Sequence, residues 1–199
     1  MNIAIVILAA GLSKRMGAFK PLLAVGSEPA IMRVISTAAS AGIRDKIVVT
    51  GYMRDELERV IRAGAPEARL IYNNMYKKDM LFSVRAGVAA LPEGADGFFL
   101  LPADCCAVSK DTFAALIEAF DKNDKAAVTR PVFNGARGHP PLIPARQINR
   151  ILTVDSDNGL KGILDDQPSI DLETNDPGVL MDMDTPEDYQ AMLKYVDGV

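Results

Sequence analysis

The stretch Ile3-Ala4-Ile5-Val6-Ile7-Leu8-Ala9-Ala10-Gly11-Leu12-Ser13-Lys14-Arg15-Met16-Gly17-Ala18-Phe19-Lys20 decides how this chain reads. Ile3–Ala9 is apolar without polar alternation, the mark of a strand buried on both faces of a sheet. The chain then turns polar at Gly11 and adds Arg15 and Lys20. That sequence of events describes a cradle for a triphosphate. Gly11 is expected to let the backbone turn tightly, so that successive N–H groups point at one anion. Arg15 offers a planar, permanently charged fork for phosphate oxygens. Lys20 adds a mobile point charge within reach of a departing pyrophosphate. Neither Gly-x-x-x-x-Gly-Lys-Ser/Thr nor Gly-x-Gly-x-x-Gly occurs here, which disfavours a dinucleotide-dependent oxidoreductase. Taken alone, the same residues also fit a strand end with a glycine turn and two solvated basic side chains.

Outward from that stretch, short apolar runs alternate with segments of helical periodicity. Pro29–Ala41 carries Ile31, Val34, Ile35 and Ala38 on one stripe, and Ile47–Thr50 is the next strand, with Gly51 beginning its loop. Met53–Ala63 is a helix, Arg69–Tyr72 a strand, Leu81–Leu91 a helix, Gly97–Leu101 a strand cut by Pro102, and Lys110–Asn123 a helix. This rhythm predicts a three-layer α/β/α sandwich with a mostly parallel, Rossmann-like sheet. Further on, Ala126–Val132 reads as a strand, Asn134–Pro144 as a Gly- and Pro-rich loop, and Val179–Met183 as a late strand. Short helices are expected around Ile148–Leu152 and over Gly159–Asp165. Thr185-Pro186-Glu187-Asp188 has the composition of a capped helix start.

Length and composition narrow the function. The chain has 199 residues, 49% hydrophobic and 24% charged, which suits one α/β domain spanning 1–199. A net charge of −4 disfavours a nucleic-acid partner. The early apolar run is too short to span a bilayer and has no basic segment before it, so neither a membrane role nor a signal peptide is expected. Cys105 and Cys106 are adjacent, which suits neither a disulfide framework nor a zinc site, and a cytoplasmic location follows. A redox or nucleophilic role for them lacks a companion base. Met75, Met80, Met181 and Met183 read as packing residues.

The string Leu8-Ala9-Ala10-Gly11-Leu12-Ser13-Lys14-Arg15-Met16-Gly17-Ala18-Phe19-Lys20 resembles the signature of MobA-like nucleotidyltransferases, particularly those that cytidylylate the molybdenum cofactor. The resemblance continues through the Asn-led segment Asn73–Gly87, which ends in Ser-x-x-x-Gly from Ser83 to Gly87, and through Leu100-Leu101-Pro102-Ala103-Asp104, Gly138-His139-Pro140 and Asp182–Tyr189. It implies the nucleotide-diphospho-sugar transferase type of sheet. It also implies a nucleotide site made of Leu8, Ala9, Ala10, Gly11, Ser13, Arg15, Lys20, Gly51, Asn73, Ser83 and Pro102. Arg15, Lys20 and Asp104 would be catalytic, and Asp79, Phe82, His139 and Pro140, within the segments Asn73–Ser83 and Gly138–Pro140, would line the acceptor side. Leu-Ala-Ala-Gly, with Phe19 before Lys20, favours CTP as donor. The implied acceptor is phosphorylated, with molybdopterin favoured, and a molybdoenzyme is a possible partner.

The same resemblance makes Asp104 and Asp184 ligands of magnesium, Mg²⁺. The chemistry agrees, because donor and acceptor are both anionic and a divalent cation neutralises their repulsion. As sequence positions alone, each aspartate is equally well read as a helix cap. Asp182 is a fallback ligand on the expected strand. His139 is expected to contact substrate or support its turn, since an ionised phosphate nucleophile needs no base. Four positions depart from the family pattern: Ala103 and Cys106 beside the metal aspartate, and Asp79 and Phe82 on the acceptor side. These leave open a sugar phosphate or another phosphorylated alcohol as acceptor, or a non-catalytic module that binds a nucleotide or cofactor for a molybdoenzyme.

Overall fold

A computed structural model describes residues 1–155 and 159–198. Strand β1 (Ile3–Ala9) has no polar face, and the structure covers it on both sides. Ile3, Ile5 and Ile7 enter one apolar cluster, while Ala4 and Val6 enter the other. On one flank β1 pairs in parallel with β4 (Asp45–Thr50), which pairs in turn with β5 (Arg69–Tyr72). On the other flank lies β6 (Gly97–Pro102), also parallel. Beyond it come the antiparallel β9 (Leu142–Pro144), then β7 (Val128–Phe133) and β10 (Ser169–Glu173), in the order β10-β7-β9-β6-β1-β4-β5. A short β8 (Ala136–Arg137) turns back on β7, and β2 (Ala24–Val25) pairs with β3 (Glu28–Pro29) as a separate hairpin.

Two helical layers sandwich the sheet. One holds α1 (Ala30–Ser40), α2 (Arg54–Gly64), α4 (Lys110–Lys122) and α7 (Pro186–Asp197), which contribute Val34, Leu57, Phe113 and Met192 to the larger cluster. The other holds α3 (Met80–Val88), α5 (Ile148–Thr153) and α6 (Gly159–Leu164), with Val84, Ile151 and Ile163 against Val6 and Leu100. This is the three-layer, mostly parallel architecture expected from the sequence. The early strands and helices fall within a few residues of their expected bounds, although α3 ends at Val88 and not at Leu91.

The second half requires corrections. Asn134–Pro144 is not all loop, because it contains β8 and β9. Leu142 and Ile143 are fully buried in the middle of the sheet, in a strand too brief to show periodicity between prolines. Val179–Met183 is not a strand, since its start lies in a 3-10 turn over Pro177–Leu180. The sheet edge there is taken by β10, whose Ser-Ile-Asp-Leu-Glu alternation is itself a strand signal. Asp184 therefore sits in the segment that enters α7, and Asp182 and Asp184 share no strand face. Instead Asp182 accepts a hydrogen bond from the Asp184 N–H at 3.2 Å.

Candidate active site

Parallel strands deliver their carboxyl ends to one edge of the sheet, and ligands of open α/β sheets bind there. At that edge β1 runs into the loop 10–19 and β6 into Ala103-Asp104. Ala103 N–H donates to the Leu8 carbonyl at 3.0 Å, which ties the two strand ends together. The loop's one left-handed non-glycine residue is Ser13 (φ 51°), so the tight turn expected at Gly11 falls two residues later. Nothing lies within 4 Å of where a Gly11 Cβ would stand, so this glycine leaves open space in the wall of a cleft. Ser13 Oγ accepts the Lys20 backbone N–H at 3.2 Å, which closes the loop on itself.

The cleft, about 250 Å³, is lined by Leu8, Ala9, Ala10, Gly11 and Ser13 along the loop. Lys20, Ser83, Pro102 and Asp104 complete it, together with Tyr76 and Met80, which the sequence placed only within the acceptor-side segment Asn73–Ser83, and with Pro21 and Ala103, which it did not assign to the site. Met80 is 67% exposed at its mouth, so it is no packing residue. Asn73 and Gly51 stand behind the wall. Asn73 is buried and donates through Nδ2 to Ser83 Oγ at 2.9 Å, so it orients the serine that faces the cleft. Gly51 packs against the loop, where a Cβ would come within 2.8 Å of both the Ala10 carbonyl and Tyr76 Cβ. Only glycine lets the end of β4 and the loop 10–19 approach this closely.

The most specific feature is electrostatic. Lys20 Nζ donates to Asp104 Oδ2 at 2.9 Å and to Asp184 Oδ1 at 2.5 Å. Arg15, largely exposed, reaches the other Asp184 oxygen at 2.6 Å. Neither aspartate caps a helix. The N-cap of α4 is Ser109, and that of α7 is Thr185, which forms a reciprocal capping box with Asp188. The cap reading of the sequence therefore fails at both positions, and both carboxylates are left facing one small gap. Burial alone would lower the Lys20 ammonium's pKa, but hydrogen bonds and charge from Asp184 and Asp104 outweigh it and raise it. The Lys20 hydrogen bond holds the Asp184 carboxyl below its ordinary value. Asp182, penalised by burial and by the charges of Asp184 and Asp104, is shifted up.

A divalent cation fits this donor set. The gap already accommodates a cation, the lysine ammonium, between two carboxylates supplied by separate parts of the chain. Mg²⁺ needs only one or two carboxylates, with water and phosphate completing its shell. Cys105 gives only a long thiol contact, 3.9 Å, to Asp104 Oδ1, and neither cysteine lines the cleft. Both are buried behind Asp104, and burial raises Cys105 well above an ordinary thiol and Cys106 to about 12.

The acceptor-side residues are only partly gathered. Asp79 and His139 line a second cavity of about 480 Å³, which shares Leu8, Met80 and Pro102 with the first. Asp79 is also the N-cap of α3, accepting the Leu81 N–H at 2.7 Å. His139 is held by its own N–H to the Val179 carbonyl at 2.8 Å, and burial lowers its pKa. Phe82, with Lys78 over its ring, and Pro140 line neither cavity.

Comparison with known proteins shows the family and the fold. Residues 5–171 match the MobA-like NTP transferase domain. The chain is 29% identical to molybdenum cofactor cytidylyltransferase of Escherichia coli, over 92% of each protein. It superposes on a nucleotidyl transferase from Methanothermobacter with a TM-score of 0.82, at 23% identity over 98% of each chain. A Mycobacterium tuberculosis protein crystallised with manganese gives a TM-score of 0.80 at 21% identity, over 98% of this chain and 99% of that one. The chain belongs to the MobA-like NTP transferase family and is a nucleotidyltransferase.

Proposed function

Starting from a MobA-like NTP transferase, we propose that this chain, as one domain over 1–199, moves CMP from CTP onto the phosphate of molybdopterin, with Mg²⁺ and in the cytoplasm. The observation that carries the reading is the convergence of Lys20 and Arg15 on Asp104 and Asp184 at the cleft beside residues 8–13. The cytidine and the molybdenum-cofactor acceptor are supported by the name of the Escherichia coli relative. A divalent metal is supported by the donor set and by the manganese complex of a protein with the same fold.

In the proposed reaction, an acceptor phosphate oxygen attacks the α-phosphorus of CTP. The bond from that phosphorus to the bridging β-oxygen breaks, and pyrophosphate leaves. Bound Mg²⁺ would supply charge neutralisation across the phosphates. The loop residues Ala10–Ser13 hold the triphosphate with backbone N–H groups, and Ser83 fixes the nucleoside side of the cleft. Arg15, exposed and long, closes over the phosphates. Lys20 transfers its ammonium from the two carboxylates to the phosphoryl oxygens, where it balances charge developing on the leaving group. No general base is required, because the attacking phosphate is already ionised. His139, kept neutral by burial, is consistent with that absence.

Calorimetric titration with each of the four NTPs in Mg²⁺ tests the donor. CTP is expected to bind in the micromolar range, and failure of every NTP to bind better than millimolar would end the reading. Pyrophosphate release with molybdopterin, against a panel of sugar phosphates, tests the acceptor. Asp104→Ala is expected to abolish release while leaving the fold intact by circular dichroism.

A further inference from the structure

The second cavity contains a cation that the reaction above does not use. Arg130 lies on β7, half-buried in the cavity wall. Strand register places Asp171 of β10 directly beside it. That carboxylate is instead held by Arg137, at 2.9 Å from Nε and 2.8 Å from the second guanidinium nitrogen. Among the described residues Arg130 is left without a hydrogen bond or an ion pair of its own. A guanidinium taken part-way out of water and given no partner is costly, and that cost is recovered when an anion arrives. Burial depresses the Arg130 pKa, with the charge of Arg137 adding to it, while Asp171 and Asp165 oppose the shift.

The rest of the cavity determines what kind of anion fits. Leu81, Val84, Leu100, Leu160 and Leu164 form apolar walls. Lys161 adds a second positive group, and the Asp79 carboxylate is occupied in capping α3. A volume of about 480 Å³ falls in the range of sites for small organic ligands. The passage to the first cleft runs past Leu8, Met80 and Pro102, whereas Asp104 and Lys20 line only the first cleft. An acceptor seated in the second cavity reaches past Leu8, Met80 and Pro102 with its attacking phosphate towards Asp104 and presents its far end to Arg130.

We propose that Arg130 recognises a second anionic group of the acceptor, distal to the attacking phosphate. This rests on the transferase reading for the direction in which the acceptor lies. The guanidinium fork binds that group in two-pronged fashion, and Lys161 supplements the charge. The acceptor is thereby chosen at both ends, by its phosphate at one cleft and by its far anion at the other.

The test uses the full chain and a matched pair of probes, phenyl phosphate and 4-carboxyphenyl phosphate, titrated by NMR with and without CTP and Mg²⁺. The carboxylated probe is expected to bind about tenfold tighter to the wild type, the gain of one charge-assisted fork contact. Arg130→Met is expected to erase that preference while leaving the phenyl phosphate affinity within about twofold and CTP binding unchanged. Arg130→Lys, which keeps the charge but loses the fork, is expected to retain part of the preference, and it decides the matter if the methionine variant does not fold. A wild type that fails to distinguish the probes overturns the proposal, as do variants that distinguish them as well as wild type does. Failure of CTP to bind would overturn the donor reading alone, since the probe preference is also measured without nucleotide.

Discussion

Lys20 is the residue on which most depends, because its ammonium stands where a metal would neutralise Asp104 and Asp184. Lysine and metal compete for the same oxygens. Lys20→Met is therefore expected to tighten Mn²⁺ binding without nucleotide by about tenfold, read from the free-ion electron paramagnetic resonance signal, while transfer falls at least about a hundredfold. Weaker Mn²⁺ binding in the variant would place the metal elsewhere. His139 gives a pH test. Burial keeps its native pKa below the ordinary value of about 6.5, so the unfolded chain takes up a proton that the native one refuses. That part of the stability is present above about pH 6.5 and lost as the pH falls towards the native pKa, so His139→Asn is expected to flatten the wild-type decline in urea midpoint over that window. Parallel declines would show that the imidazole contributes nothing. The buried thiols supply a third check: at pH 8, with Cys106 near 12, iodoacetamide is expected to label neither cysteine until the chain is unfolded. Much of this chemistry was legible beforehand, because Arg15, Lys20, Asp104 and Asp184 lie in ordered strings. Arg130 was not, since nothing local distinguishes a cavity-lining arginine from a solvated one, and Tyr76 was legible only as part of the segment Asn73–Ser83.

Among the elements, α3 shows how packing sets the site. A Cβ at Gly87 would lie 2.3 Å from Val6 Cγ1 and 2.9 Å from Val49 Cγ2, so the helix rests directly on the sheet there. One turn earlier, that close seating brings Ser83 to the cleft and to Asn73. Gly87→Ala is expected to cost about 1–3 kcal/mol in urea unfolding, as overpacking does, and to weaken CTP binding as Ser83 moves outward. A stability loss with CTP affinity untouched would separate the helix from the site. The spacing of Ser83 and Gly87 was readable from sequence, but its reason, the depth of α3 on β1 and β4, is a tertiary fact. The misread elements share a cause as well. Leu142-Ile143 is apolar but too short for periodicity, and Val179–Met183 is apolar because Val179 and Met183 enter the core without any strand to pair with.

For the molecule as a whole, the candidate site joins distant parts of the chain: Arg15 and Lys20 near the start, Asp104 in the middle, Asp184 near the end. Ligands that bridge such parts stabilise the whole fold. CTP with Mg²⁺ at a hundred times its Kd is expected to add about 2.7 kcal/mol, or roughly 5–10 °C in Tm for a chain of this size. Asp184→Asn is expected to lose most of that shift in differential scanning fluorimetry while its ligand-free Tm stays near wild type, and an undiminished shift would remove Asp184 from the site. The layer order was legible from the first half, where long apolar strands leave little choice. The second half was not, because β9 joins the sheet against the direction of its neighbours.

The lysine between the two aspartates also imposes a sequence of arrivals. With its carboxylates already balanced, the empty enzyme offers a free metal ion little attraction. On the proposed reaction the triphosphate would come first, or with its metal, because its phosphate oxygens would draw Lys20 away from the two carboxylates. When pyrophosphate left, the same side chain would swing back and reset the site without borrowing a cation from solution. A turnover cycle would then begin and end in one self-neutralised resting state, and the saturation kinetics are expected to be those of the metal–nucleotide complex as the true substrate.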